Sequence, residues 1–313
     1  MNKIKNVAVI GAGAVGSFFL DGLAGKPGIN VWAVAEGERK ERLEREGLVV
    51  NGRHVSLQVR KPSESAGPDL AVVCVKYGAL PEAVKIIAGI CDEHTIILCP
   101  MNGVDSEEIL AARMGRKNIL HSMMVISAER KGNDIFYNRG GNPCIHYGRA
   151  EGYGELRDGR DDQLEALRDL FDEAGLTSKY HENIMKTIWN KFALNISTNI
   201  AQAIIGCNYG AYKTSPYMNE LGQRLCDEVL EVARAKGIQC TFDNQRALRT
   251  VSTSDLARFS TLQDIMAGRH TEIDMFCGAV VNMGRECGVA TPFNEFAYLA
   301  IKALEEKNDG KIF

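Results

Sequence analysis

Val7-Ala8-Val9-Ile10-Gly11-Ala12-Gly13-Ala14-Val15-Gly16 decides the fold. Four apolar residues read as a buried strand, and three glycines in the spacing G-x-G-x-x-G follow at once. Val15, Phe18, Phe19 and Leu23 then recur at helical spacing, and a second strand is expected over 30–35. The hexapeptide alone is a weak signal, because glycines are common where strands end. Its place between a strand and an amphipathic helix gives it meaning. There the first glycine makes the tight turn and the second lets backbone approach a pyrophosphate. The third lets the helix pack closely on the sheet. The helix start offers N–H groups and a positive dipole end to phosphates. The backbone of Gly11, Gly13, Ala14, Val15 and Gly16 is therefore expected to hold a nicotinamide dinucleotide.

Working outward, the first half alternates strand and helix patterns. A charged helix is expected over 38–46 and an apolar strand from Asp69 to Val75. A helix follows near Pro81, then a strand over 95–99 and a helix over 105–114. Short apolar runs separated by helices imply β-α-β units and a parallel sheet covered on both faces. Ile119 to Ile126 reads as a further strand. Gly132, Gly140, Gly141 and Pro143 punctuate expected hairpin structure, and a helix over 162–173 stops at Gly175. Beyond that the pattern is helical: about 181–205, 216–236, 243–250, 261–268, 271–287 and 293–306. The expected architecture is α/β, a Rossmann-type doubly wound sheet over 1–180 followed by an all-helical domain over 181–313.

Composition narrows the class of partner. The 313 residues carry 37 basic and 40 acidic side chains, a net charge of −3, with no basic stripe for nucleic acid. No apolar run approaches the length of a membrane span, and the strand begins too soon for a signal peptide to precede it. The nine cysteines are scattered through apolar stretches without C-x-x-C or histidine spacing, which reads as a reducing, cytoplasmic setting without a metal site. A small molecule is the expected partner.

Ligands of open parallel sheets sit beyond the C-terminal ends of the strands. Glu36, 20 positions after Gly16, ends the second strand, where a carboxylate accepts hydrogen bonds from a ribose diol and repels a 2′-phosphate. Arg39, Lys40 and Arg42 follow and offer charge of the opposite sign, so NADH is only mildly favoured. Lys76 with Tyr77, and Asn102 with Gly103, occupy further strand ends. Each can be an ordinary strand-end residue or a contact to cofactor or substrate.

In the second half, Lys191, Asn195 and Asn199 are spaced four apart and fall on one helix face. Two asparagines cost helix propensity that a merely solvated face would avoid, and aligned amides beside an ammonium suit a polar substrate. Ser260 with Gln263 fits a capping box, which explains both without function; a hydroxyl at a helix start is also an anion site. Glu272 follows a Thr271 cap, where helix dipoles favour acids.

Together these segments resemble the ketopantoate reductase (2-dehydropantoate 2-reductase) family. The resemblance runs through Gly11-x-Gly13-x-x-Gly16, Val75-Lys76, Asn102-Gly103 and Trp189-x-Lys191 with Asn195 and Asn199. It continues through Ser260-x-Leu262-Gln263-Asp264 to Arg269-x-Thr271-Glu272-Ile273-Asp274. It implies NAD(P)H-dependent reduction of ketopantoate to pantoate, in the synthesis of pantothenate and coenzyme A. In that scheme Lys191 protonates the ketone oxygen and Asn195 and Asn199 hold the substrate. Ser260 binds its carboxylate, Glu272 accepts from its terminal hydroxyl, and Asn102 and Lys76 position the nicotinamide and its ribose. The family also implies NADPH and a homodimer through the helical half. The chain departs from the family's pattern in two places. Glu36 stands where an arginine is usual, and Ile200-Ala201-Gln202 lacks the usual proline and small hydroxyl residue. Two other readings stand beside this one: reduction of another branched or hydroxylated 2-keto acid, and a non-catalytic redox sensor that binds the dinucleotide.

Overall fold

A computed structural model describes residues 3–131, 134–137, 143–150, 160–240, 242–243 and 254–312. The helix expected over 243–250 and the glycines at 132, 140 and 141 fall outside, or almost wholly outside, the described residues. The chain divides into two compact units, Met1–Asn102 with Ser106–Ile184, and Gly103–Asp105 with Met185–Phe313.

The first unit is built on an eight-stranded sheet. Its strands are β1 (Asn6–Ile10), β2 (Asn30–Val34), β5 (Gln58–Arg60), β6 (Leu70–Val73), β7 (Ile96–Leu98), β8 (Ile119–Val125), β11 (Cys144–Gly148) and β12 (Ser178–His181). Their order is β12-β11-β8-β7-β6-β1-β2-β5, the doubly wound order extended by two strands at one edge. All neighbours are parallel except β8 and β11. In register, Val7 faces Val31 on one side and Leu70 on the other.

Continuous apolar strands arise because both faces are covered. Val7, Val9, Val31, Ala33, Leu70 and Val72 pack under helices α1 (Ala14–Leu23) and α5 (Arg160–Ala174). The alternate residues Ala8, Ile10, Trp32, Val34, Ala71 and Val73 pack under α3 (Leu80–Ile90) and α4 (Ser106–Met114). With no solvated face there is no polar alternation. The charged helix α2 (Gly37–Glu46) buries only Leu43.

Two parts of this unit differ from the sequence reading. Four short strands, β3 (Leu48–Val50), β4 (Arg53–Val55), β9 (Ala128–Lys131) and β10 (Asp134–Tyr137), make a separate sheet in the order β4-β3-β10-β9. Three- and four-residue strands are too short to show periodicity. Residues 178–181 form the edge strand β12 rather than leading into a helix at 181, because they pair in register with β11.

Among its described residues the second unit holds helices and no strand. Helix α6 (Met185–Asn195) passes into a π turn (Ile196–Ile200) and on into α7 (Ala201–Ile205). Then come α8 (Ala211–Thr214), α9 (Pro216–Ala235) and α10 (Ser260–Met266), a second π turn (Asp274–Gly278), α11 (Ala279–Cys287) and α12 (Pro292–Asn308). The single helix expected over 181–205 is thus broken by a wide turn, and that over 271–287 begins with one. Buried Glu228 of α9 accepts from the Phe293 and Asn294 N–H groups at 2.8 and 2.9 Å and so caps α12. No described helix is long and apolar enough to cross a membrane.

Candidate active site

The glycine turn has a shape that fits a dinucleotide phosphate. Gly11 leaves β1 at φ +102°, and a Cβ there would lie 2.4 Å from the Cys74 carbonyl oxygen. A Cβ at Gly16 would lie 1.8 Å from the Gly11 carbonyl oxygen, so the first turn of α1 rests directly on the loop. A Cβ at Gly13 would meet nothing within 4 Å, so this glycine faces open space. Gly13 caps α1 without a side-chain hydrogen bond, and the first turn carries no acidic residue. Its N–H groups and dipole are therefore unopposed toward an anion.

Glu36 is exposed at the start of α2, followed by Gly37 at φ +55°. The Lys40 ammonium pairs with Glu44 on the same helix. Arg60, beside Val34 in β5, turns back along β2: its guanidinium lies 4.1 Å from the Trp32 ring centroid and donates to Asn30 at 3.2 Å. Lys76 is exposed and opens a short turn after β6, while Asn102 is half-buried after β7. A buried network fixes the frame around the Asn102 loop. Glu107 accepts from Ser106 Oγ at 2.8 Å and from Ser122 N–H at 3.2 Å, and Ser122 Oγ accepts from Cys99 N–H at 3.0 Å.

The remaining candidate residues all lie in the second unit. Lys191 and Asn195 stand one turn apart on α6, and Asn199 lies buried in the π turn. Although Lys191 as a residue is half-buried, burial around its ammonium pushes the pKa from 10.5 down to about 8. An ammonium so tuned releases a proton readily near neutral pH.

Tertiary contacts account for the π turn. Ser197 Oγ and Thr198 Oγ1 donate to the Leu194 carbonyl at 3.0 and 2.6 Å. Tyr212 OH donates to the Thr198 carbonyl at 2.7 Å and lies 3.2 Å from that of Ser197. Helix α9 approaches so closely at Gly222 that a Cβ there would sit 2.7 Å from the Ser197 oxygen. Side chains thus take up carbonyls that a regular helix would pair internally.

Helix α10, which begins with Ser260, packs on α7 and on this π turn. Ser260 is exposed at the first position of α10, whose cap is Phe259. The capping box expected of Ser260 and Gln263 does not form. Gln263 Nε2 instead donates to the Arg258 carbonyl at 2.6 Å, and the Phe259 N–H is taken by Gln202.

Glu272 is half-buried just before the second π turn, and its carbonyl accepts from Met275 and Phe276. Thr271 Oγ1 accepts from Ile273 N–H at 3.2 Å, a local cap. From α12, buried Glu305 accepts both the Thr271 N–H and its hydroxyl at 2.7 Å. Lys302 joins this carboxylate, at 3.5 Å, to Asp274, at 2.7 Å. Phe192, next to Lys191, stacks on Phe276 with centroids 6.2 Å apart. A Cβ at Gly103, immediately after Asn102, would lie 2.8 Å from Met275 Cγ in the same π turn. Helix α6, the π turn after it, the start of α10 and the segment before the second π turn therefore carry an ammonium, two amides, a hydroxyl and a carboxylate within a single unit.

Residues 7–152 match the model of ketopantoate reductase PanE/ApbA, and residues 183–305 match the model of its C-terminal domain. The chain belongs to the ketopantoate reductase family. A 2-dehydropantoate 2-reductase of Pyrococcus horikoshii is 26% identical over 310 residues, covering 97% of this chain and 99% of the relative. Another, of Archaeoglobus fulgidus, is 28% identical over 311 residues with the same coverage. Among solved structures, a family member from Ralstonia eutropha superposes with a TM-score of 0.82 at 24% identity, over 97% of this chain and 99% of that one. D-mandelate dehydrogenase, solved with NADH and anilino(oxo)acetate, gives a TM-score of 0.83 at 25% identity with the same coverage.

Sequence reasoning did not find Gln202, Tyr212, Glu305 or Phe276, which hold these residues in place. Each looks like an ordinary helix residue in one dimension. For Gln202 alone there is a sequence signal: it lies in Ile200-Ala201-Gln202, the segment that departs from the family's usual pattern.

Proposed function

We propose that the chain reduces the ketone of ketopantoate to pantoate at the expense of a reduced nicotinamide dinucleotide. The observation that carries this reading is Lys191, a desolvated ammonium with a pKa of about 8, on a helix whose next turns present Asn195 and Asn199. The bound dinucleotide supplies the hydride. Lys191 polarises the carbonyl and gives its proton to the ketone oxygen, so that the carbonyl becomes a hydroxyl and the lysine a neutral amine. A positioned acid of this kind is worth about 10²–10⁴ in rate. Asn195 and Asn199 orient the substrate by their amides, and Ser260 at a helix start receives its carboxylate. Glu272 accepts from the terminal hydroxyl. The glycine turn holds the pyrophosphate, with Lys76 and Asn102 at the nicotinamide end. The nine cysteines are present as thiols, which supports a cytoplasmic setting.

For the cofactor we infer NADH. Glu36 would repel a 2′-phosphate, Lys40 is engaged by Glu44, and Arg60 is held over Trp32. A second reading, reduction of another 2-keto acid by the same residues, draws support from the likeness to D-mandelate dehydrogenase, solved with NADH.

Loss of reduced-nicotinamide absorbance with ketopantoate and a panel of 2-keto acids, each with NADH and NADPH, tests both. The expected result is fast turnover of ketopantoate with NADH. Turnover confined to another acid would replace the substrate. No turnover with any acid would overturn the catalytic reading and favour the sensor.

A further inference from the structure

We propose that Gln202 is a positioning residue that fixes Ser260 relative to Lys191. The proposal rests on the reading that Ser260 receives the substrate's carboxylate. Gln202 lies on α7, wholly buried. Its Oε1 accepts from the Phe259 N–H at 2.7 Å and its Nε2 donates to the Ala257 carbonyl at 3.1 Å. Both bonds go to backbone, on residues two apart and immediately before Ser260.

This grip replaces an ordinary cap. Phe259 is extended at φ −81°, ψ 168°, and its side chain gives α10 no cap hydrogen bond. Its ring packs edge-on against Tyr209 at 5.6 Å, and the Tyr209 N–H donates to the Ala257 carbonyl at 3.0 Å. The amide of residue 202 thus sets the backbone from which Ser260 projects. Through the π turn, the α6–α7 run that carries Lys191, Asn195 and Asn199 continues to Gln202, three residues beyond Asn199. The run that carries the proton donor therefore also fixes the hydroxyl at the other end of the substrate. A serine or threonine at 202 would be too short to make both bonds.

The test is a double-mutant cycle in steady-state kinetics with ketopantoate, using Gln202→Met, Ser260→Ala and the pair at saturating dinucleotide. Gln202→Met keeps the volume and loses both bonds. It is expected to raise the KM for the keto acid about tenfold, the scale of one misplaced hydrogen bond to a charged group. The kcat should change by less than about threefold and the dinucleotide KM should hold, because neither Lys191 nor the glycine turn is touched. In the Ser260→Ala background the same substitution should add no further rise.

Equal rises in both backgrounds would overturn the proposal while leaving Ser260 a substrate contact. An unchanged KM in Ser260→Ala would overturn the reading of Ser260 itself, and the proposal with it. If Gln202→Met does not fold, Gln202→Glu, which keeps the acceptor for Phe259, takes its place in the same cycle. A smaller rise that vanishes in the Ser260→Ala background then supports the proposal, and an additive one overturns it.

Discussion

Phe192 and Phe276 stack with ring centroids 6.2 Å apart and planes inclined at 21°, tying the helix of Lys191 to the turn that follows Glu272. Both rings are buried, and Trp189 meets Phe192 edge-on at 6.0 Å. The proton donor and the carboxylate of the proposed site are thus spaced by a packed aromatic contact. Phe192→Leu and Phe276→Leu should each lower stability by about 1–3 kcal/mol through lost packing. Measured by urea unfolding, the double variant should lose about 1 kcal/mol less than the sum, because the second change finds the stack already gone. Strict additivity would show that the rings contribute independently.

The depressed pKa of Lys191 has two consequences of opposite kind. Reduction needs the ammonium, so kcat/KM should be level below about pH 8 and fall as pH rises through that value. Stability runs the other way. The unfolded lysine binds its proton up to 10.5, so between about 8 and 10.5 the unfolded state holds more protons and stability rises with pH. Below about 8 the folded protein carries the full cost of a desolvated charge. Lys191→Met should abolish turnover yet stabilise the fold at neutral pH, on the order of 2 kcal/mol. A thermal melt below that of the unmodified protein would show that the ammonium is well solvated and the assignment of its pKa wrong.

These contacts also mark where the sequence ceased to be informative. The glycine turn was legible because three glycines, a strand and an amphipathic helix must coincide within about twenty residues to bind a pyrophosphate. The double burial of the sheet was legible from runs such as Leu70 to Val73, which leave no polar face. The spacing of Lys191, Asn195 and Asn199 announced a shared face but not the π turn. That turn depends on Tyr212 and Gly222, brought in from other helices. The pairing of Ser260 with Gln263 was a sound local inference that lost to a distant competitor. Gln202 reaches the Phe259 N–H from 57 residues away, and Gln263 turns back to Arg258. Local rules fail here where a tertiary partner offers the same backbone group a better bond.

Cofactor choice should turn on Glu36. With its carboxylate gripping a ribose diol, Glu36→Ala should lower kcat/KM for NADH about tenfold or more. The value for NADPH should hold or rise, since a charge opposed to the 2′-phosphate has gone. Glu36→Arg should carry the change further. Strong preference for NADPH in the unmodified enzyme would sink the assignment and point to the exposed Arg39 or Arg42 as the phosphate's partner.

The three glycines of the turn make separable predictions, because only two of them are packed. At Gly16 a methyl group would lie 1.8 Å from the Gly11 carbonyl oxygen, backbone against backbone, so α1 must move to admit it. Gly16→Ala should therefore lower the melting temperature and weaken dinucleotide binding together. At Gly13 a methyl group meets nothing within 4 Å, and φ of −83° suits any residue. Gly13→Ala should leave the melting temperature of the free protein within about 2 °C, equivalent to a few tenths of a kcal/mol. Yet it should weaken binding of NADH about tenfold or more, by holding the pyrophosphate away from the N–H groups of α1. Calorimetric titration beside a thermal melt separates the two effects. Unchanged affinity in Gly13→Ala would mean that the phosphates do not pass over this glycine, and the anion site at the start of α1 would have to be abandoned.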